Sequence, residues 1–288
     1  MIKKVFSFVA LSMLIWSCGE IEEPELSGDS WDEVKEAGHG SITALYVPAD
    51  GFAYEDNQGR LTGVTVELIQ DFAKYLADEH DIVLQVNFVE EEDWSTFYDK
   101  IVEGNDGLIG FGNVTITEER REELTFSPAY MTNIASLITH EDADELTNFN
   151  DMAEVFTGLD ALAFEGTLHE DRLRELTEQY HADADIIMAH SNDEIIDKLS
   201  AGNDYFAYLD LYNFWRAEEG GAPLKRHEIG DEAEEQFGYI MPLETSWGEP
   251  ITEYFEHDGG LVHSDRYREI METHLGERLA GLLMDAHE

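Results

Sequence analysis

Gly112-Asn113-Val114-Thr115-Ile116-Thr117-Glu118-Glu119-Arg120-Arg121-Glu122-Glu123-Leu124-Thr125-Phe126-Ser127-Pro128-Ala129-Tyr130 is the stretch on which the reading of this chain turns. The apolar, small-residue run 107–112 reads as a strand, and it gives way to hydroxyl residues. A helix is expected to open at Thr117, whose side chain suits an N-cap, with Arg120 in its first turn. Free backbone N–H groups at a helix start, joined by an arginine fork, form a carboxylate site on physical grounds. The same residues also fit a purely structural junction, with Arg120 paired to Glu123 or with Arg121 as the more useful cation.

Working outward, short apolar strands alternate with amphipathic helices. Upstream lie a strand at 41–47, a turn-rich segment at 51–59, and a helix from about 65. That helix sets Val66, Leu68, Ile69, Phe72, Tyr75 and Leu76 on one face. A strand at 82–88 and a helix carrying Trp94, Phe97 and Ile101 follow, the latter stopping at Gly104. Downstream are a strand at 160–164, a helix at 168–180 and a strand at 185–188. A helix then opens at Ser191-Asn192-Asp193-Glu194, followed by a strand at 205–209. Strands separated by helices imply an α/β fold whose sheets are mostly parallel and flanked by helices. The chain is expected to build one lobe, cross to a second and return: lobe 1 over 41–138 and 238–288, lobe 2 over 139–237, with a hinge between them.

The first seventeen residues read as a signal peptide rather than as fold. Lys3 and Lys4 precede an apolar run over 5–16, shorter than the roughly 20 residues a membrane span needs. It ends at Ser17-Cys18, the only cysteine in the chain, in the layout of a bacterial lipoprotein signal, so Cys18 is the expected lipidation site. Residues 18–40 are polar and acidic and are expected to form a tether. A lone cysteine excludes an internal disulfide framework or a cysteine-rich metal site.

The 288 residues hold 64 acidic and 17 basic side chains, a formal net charge of −47. No basic patch can be assembled, which excludes nucleic-acid binding and attraction to anionic lipid. Such like-charge excess opposes compaction unless salt screens it, so the acidity reads as adaptation to saline surroundings. Enzyme signatures are poor. His169-Glu170 lacks the second histidine of a zinc helix, and there is no nucleophile elbow or phosphate loop. Neither metal nor cofactor is called for.

Thr115-Ile116-Thr117-Glu118-Glu119-Arg120 and Phe126-Ser127-Pro128-Ala129-Tyr130 resemble the bacterial extracellular solute-binding proteins of the polar-amino-acid type, kin to the ligand-binding cores of ionotropic glutamate receptors. The proline stands one position early. Gly59-Arg60-Leu61-Thr62-Gly63-Val64, Trp94 and the segment 101–109 extend the resemblance, which runs over about 41–283. It implies the two-lobe periplasmic-binding-protein fold of type 2. It also implies that Arg120 grips a ligand carboxylate with help from Thr115, and that the Asn113 carbonyl and Asp210 meet its ammonium. In the second lobe, Glu165-Gly166-Thr167-Leu168-His169 resembles the family's anion site, with Thr167 matching. Leu168 replaces a hydroxyl residue, so only its N–H is on offer. Tyr46 and Phe52 are placed on the pocket wall, and Trp94 is read as core.

The expectation is therefore a monomeric, lipid-anchored binding protein at the periplasm or cell surface, capturing an amino acid or small carboxylate for an ABC transporter permease. A sensory module acting on a signalling partner, and a dehydratase-like enzyme using Glu165, are the alternatives.

Overall fold

The computed structural model describes residues 26–285; the expected signal peptide, Cys18 and residues 18–25 of the tether lie outside them. Helix α1 (Trp31–Ala37) leads into strand β1 (His39–Tyr46). A small hairpin, β2 (Tyr54–Glu55) and β3 (Leu61–Thr62), precedes α2 (Val64–His80), β4 (Val83–Glu90), α3 (Trp94–Val102) and β5 (Leu108–Thr115). Short β6 (Leu124–Phe126) comes before β7 (Met131–His140). The next stretch runs α4 (Met152–Val155), β8 (Asp160–Phe164), α5 (Leu168–Tyr180), β9 (Ile186–Ala189), α6 (Asn192–Ala201), β10 (Tyr205–Asp210) and α7 (Leu211–Glu219). The long strand β11 (Leu224–Pro242) returns the chain to α8 (Gly248–Glu256), α9 (Asp265–Leu275) and α10 (Glu277–Asp285).

The strands form one curled sheet in the order β4-β1-β5-β11-β7-β10-β8-β9, with β6 also on β11. Its two wings are parallel: β1 lies between β4 and β5, and β8 between β9 and β10. The middle is antiparallel, where β7 and β11 pair with each other and pass from one wing to the other. These wings are the two lobes of an α/β, type 2 periplasmic-binding-protein-like fold, and the β7–β11 ribbon is the hinge.

Periodicity explains the core. The α2 positions Val66, Leu68, Ile69, Phe72 and Leu76 are all buried, an apolar stripe laid on the sheet. In β5, Gly110 lets α3 sit close: a Cβ there would stand 2.8 Å from the Ile101 side chain and 3.0 Å from Ile240. The second lobe is built the same way, with Leu173 and Leu176 of α5 against Ala161, Ala163 and Phe206.

Three expectations need correction. The helix expected to open at Thr117 is a single 3-10 turn, Arg120–Glu122. Leu124 and Phe126 must turn their side chains into the core while their backbone pairs with β11, and a helix would forbid that. The Thr117 hydroxyl nevertheless accepts the Arg120 N–H at 3.1 Å, so the capping chemistry survives without the helix. Residues 26–40 are not tether: Ser30 caps α1 with a reciprocal capping box, and Trp31 packs on Trp247 with ring centroids 5.3 Å apart. Finally, the chain leaves the first lobe before residue 138, since Ala135, Leu137 and Ile138 already pack in second-lobe clusters.

Candidate functional site

A cavity of ≈ 910 Å³ lies between the lobes. Of the residues singled out in the sequence, Tyr46, Asn113, Thr115, Arg120, Thr167, Leu168 and Asp210 all line it. Phe52 does not. It is 1% exposed and reaches the cleft only through Tyr212, whose ring it meets at 4.7 Å. Its carbonyl accepts the Thr65 hydroxyl at 2.7 Å, which tucks the turn under α2 and makes the ring core.

Arg120 enters the cleft on the turn after β5. Its Nη1 donates to the Thr115 carbonyl at 3.0 Å. The guanidinium carbon lies 5.4 Å from the Trp94 ring and 5.6 Å from Tyr98. These two rings, one helical turn apart on α3, stack with centroids 5.4 Å apart. Among the described residues no carboxylate forms an ion pair with Arg120. Glu123, the surface partner considered for it, instead accepts the Tyr98 hydroxyl at 2.6 Å. Burial lowers the Arg120 pKa, but a guanidinium remains charged at any ordinary pH. Arg121 is exposed and sits over Phe126. Trp94, read from the sequence as core, is therefore part of the site; its i, i+4 spacing with Tyr98 was the available signal.

Asn113 has φ 55, a left-handed conformation that asparagine tolerates better than most residues. Its side chain bridges the lobes, donating to the Tyr212 hydroxyl at 2.8 Å and accepting from the Tyr130 hydroxyl at 2.8 Å. Tyr46 stacks on Phe111 at 5.9 Å and donates to Glu90 at 2.9 Å. Burial and that carboxylate raise its pKa, so the hydroxyl stays protonated.

From the second lobe, Thr167 occupies the N-cap of α5. Its hydroxyl donates back to the Phe164 carbonyl at 2.8 Å, so α5 starts without a side-chain cap, and its first residues, Leu168 and His169, line the cleft. Asp210 closes β10. It stands at the N-cap of α7 but makes no side-chain cap bond. Its Oδ1 accepts from Asn133 at 2.6 Å and lies 3.1 Å from His169 Nε2. The site thus sets a cation without an acidic partner among the described residues in one lobe against helix N–H groups and a buried carboxylate in the other.

Residues 43–212 match the bacterial extracellular solute-binding proteins, family 3. No curated protein matches the chain in sequence. Among solved structures, an ancestral arginine-binding protein bound to arginine is 19% identical with a TM-score of 0.64, covering 82% of this chain and 98% of its own. A substrate-binding protein of an ABC uptake transporter from Streptococcus pneumoniae, with bound histidine, is 21% identical with a TM-score of 0.66, covering 86% and 96%. The ancestral amino-acid-binding protein AncCDT-1, a precursor of cyclohexadienyl dehydratase, is 18% identical with a TM-score of 0.61, covering 85% and 98%. At these identities the likeness is one of fold. With the family match spanning more than half its length, the chain belongs to the bacterial extracellular solute-binding proteins of family 3.

Proposed function

We propose that this protein captures an amino acid, or a similarly small carboxylate, between its lobes and delivers it to an ABC-type importer, anchored by a lipid on Cys18 at the periplasmic or outer face of the cell. The observation that carries this reading is the Arg120 guanidinium, held by Thr115 and two rings yet paired with no acid among the described residues. In this reading Arg120 and Thr115 take the ligand carboxylate from the first lobe, and the N–H groups of Leu168 and His169 take it from the second. Asp210 and the Asn113 carbonyl receive the ammonium, and Tyr46 and Trp94 wall the ligand. Because these groups come from both lobes, only the closed state makes every contact.

Binding rather than turnover is favoured by the position of Glu165. Its side chain is 54% exposed, pairs with His190 at 3.0 Å, and does not line the cleft. Acidic residues are no denser along the cleft than over the whole chain, so the surface charge assigns no cationic preference to the pocket. We read that charge as adaptation to saline surroundings.

Calorimetric titration in high salt, against the common L-amino acids and small carboxylates, tests the reading. Wild type is expected to bind at micromolar levels. Arg120→Ala is expected to lose about 10²- to 10³·⁵-fold, the equivalent of removing one side of a buried charge pair. Equal binding by both proteins would move the carboxylate site elsewhere.

A further inference from the structure

Behind the cleft wall, buried polar groups run from Asp210 to both hinge strands, and the binding reading uses only the first of them. Asp210 Oδ1 takes the Asn133 amide at 2.6 Å, from β7, and lies 3.1 Å from His169 Nε2, on α5. The other ring nitrogen, Nδ1, lies 3.3 Å from Arg172 Nη1. Arg172 is ion-paired to Glu235 on β11, and Glu235 Oε2 accepts from Asn133 at 3.1 Å. His169, Asp210, Asn133 and Glu235 are all buried. The His169 ring lies nearly parallel to Tyr208, with centroids 6.2 Å apart, and Arg172 sits 5.9 Å over the same tyrosine ring.

Donor and acceptor rules determine where the His169 proton lies. A guanidinium can only donate, so Nδ1 facing Arg172 is the acceptor. A ring that accepts at Nδ1 carries its proton on Nε2 and donates a hydrogen bond from there to Asp210 Oδ1. Two donors, His169 and Asn133, converge on that one oxygen. Among the described residues Oδ2 receives none, which leaves one carboxylate oxygen oriented and uncommitted.

We infer that His169 is a positioning residue for ligand binding. With Nδ1 facing Arg172 and Nε2 facing Asp210, it orients Asp210 toward the ligand ammonium, and the Arg172–Glu235 pair ties that orientation to the hinge. The inference rests on the reading of Asp210 as the ammonium partner, so its test separates the two.

The first arm needs no ligand: ¹⁵N spectra of the histidine-labelled protein, with His169 assigned from the resonance missing in His169→Leu or His169→Gln. The Nε2-protonated neutral form is expected. A ring protonated on Nδ1, or on both nitrogens, overturns the inference. The second arm titrates wild type, His169→Leu and His169→Gln with L-arginine, L-histidine and L-glutamine, and with the same acids lacking the amino group. His169→Leu is expected to weaken the tightest amino acid by about tenfold or more, the loss of one hydrogen bond to a charged group. The des-amino acid should bind it as it binds wild type. His169→Gln, whose amide N–H can take the place of Nε2, should recover most of the affinity. Equal losses for both ligand types, or no loss at all, would reduce His169 to a packing role. If wild type binds none of these probes, the amino-acid reading fails, and the spectra alone decide whether His169 orients Asp210.

Discussion

A charged group drawn half out of water ordinarily finds an opposite charge, because leaving it alone costs several kcal/mol. Arg120 is left with one carbonyl and two aromatic rings, and that deficit is what a ligand carboxylate would relieve. The spacing of the sequence already marked Arg120 but left Arg121 and a Glu123 pairing open; side-chain direction decides between them. His227 shows a different residue-scale effect. It is fully buried, its Nδ1 accepts the Leu146 N–H at 3.1 Å, and its Nε2 lies 2.8 Å from the Thr139 hydroxyl. Burial, helped by Lys225, lowers its pKa from 6.5 to about 4. Between those values the unfolded chain binds a proton that the folded chain does not, so stability falls as pH drops from about 6.5 toward about 4. The loss reaches about 3 kcal/mol at the low end. Denaturant unfolding of wild type and His227→Asn across that window should show the wild-type slope flattened in the variant; parallel slopes would assign the acid sensitivity to other groups.

At the scale of elements, composition misled at one place and pattern at another. Residues 26–40 look like tether because polar and acidic residues outnumber apolar ones, yet two tryptophans far apart in sequence dock the segment onto the first lobe. Trp31 meets Trp247, whose indole donates to the Asp29 carbonyl at 3.0 Å. Gly28 and Gly107 also approach so closely that a Cβ on Gly107, at φ +79, would stand 2.5 Å from the Gly28 backbone. Removing the α1 capping box with Ser30→Ala is expected to cost about 1 kcal/mol, a fall of about 2–4 °C in melting temperature. A segment hanging free would show no change. The turn at 117–123 fails as a helix for the opposite reason: its local signals are sound, but β11 recruits Leu124 and Phe126 into the sheet, and tertiary pairing outweighs propensity.

Across the whole molecule, the lobes meet above the cleft where Gly166, at φ +74, faces α3. A Cβ there would stand 2.5 Å from Ser95 Oγ but 3.8 Å from Ser95 Cβ. In the proposed opening and closing of the lobes, the backbone strain of a Gly166→Ala change is common to both states, whereas the Gly166–Ser95 contact spans the lobes and forms only where they meet. Ligand affinity should therefore drop by about five- to thirtyfold, the equivalent of about 1–2 kcal/mol of overpacking. Adding Ser95→Ala should restore most of it. Titration of the single and double variants checks this, and a double variant no better than the single would place the cost in the backbone instead.

What the sequence by itself determined is the local grammar: the alternation of strands and helices from β1 to β5 and from β8 to β10, the buried face of α2, and the position of Thr115 and Arg120 at the end of β5. These follow from periodicities and capping preferences that act within a few residues. Tertiary structure alone decided the rest. The β7–β11 hinge depends on strands about a hundred residues apart, Phe52 became core because Tyr212 covers it, and Trp94 became wall because Arg120 lies across it. The His169–Arg172–Glu235–Asn133 chain behind Asp210 draws its members from α5, β7 and β11. A polar side chain's partners across such distances leave no local pattern in the sequence, because long-range pairing, not spacing, brings them together.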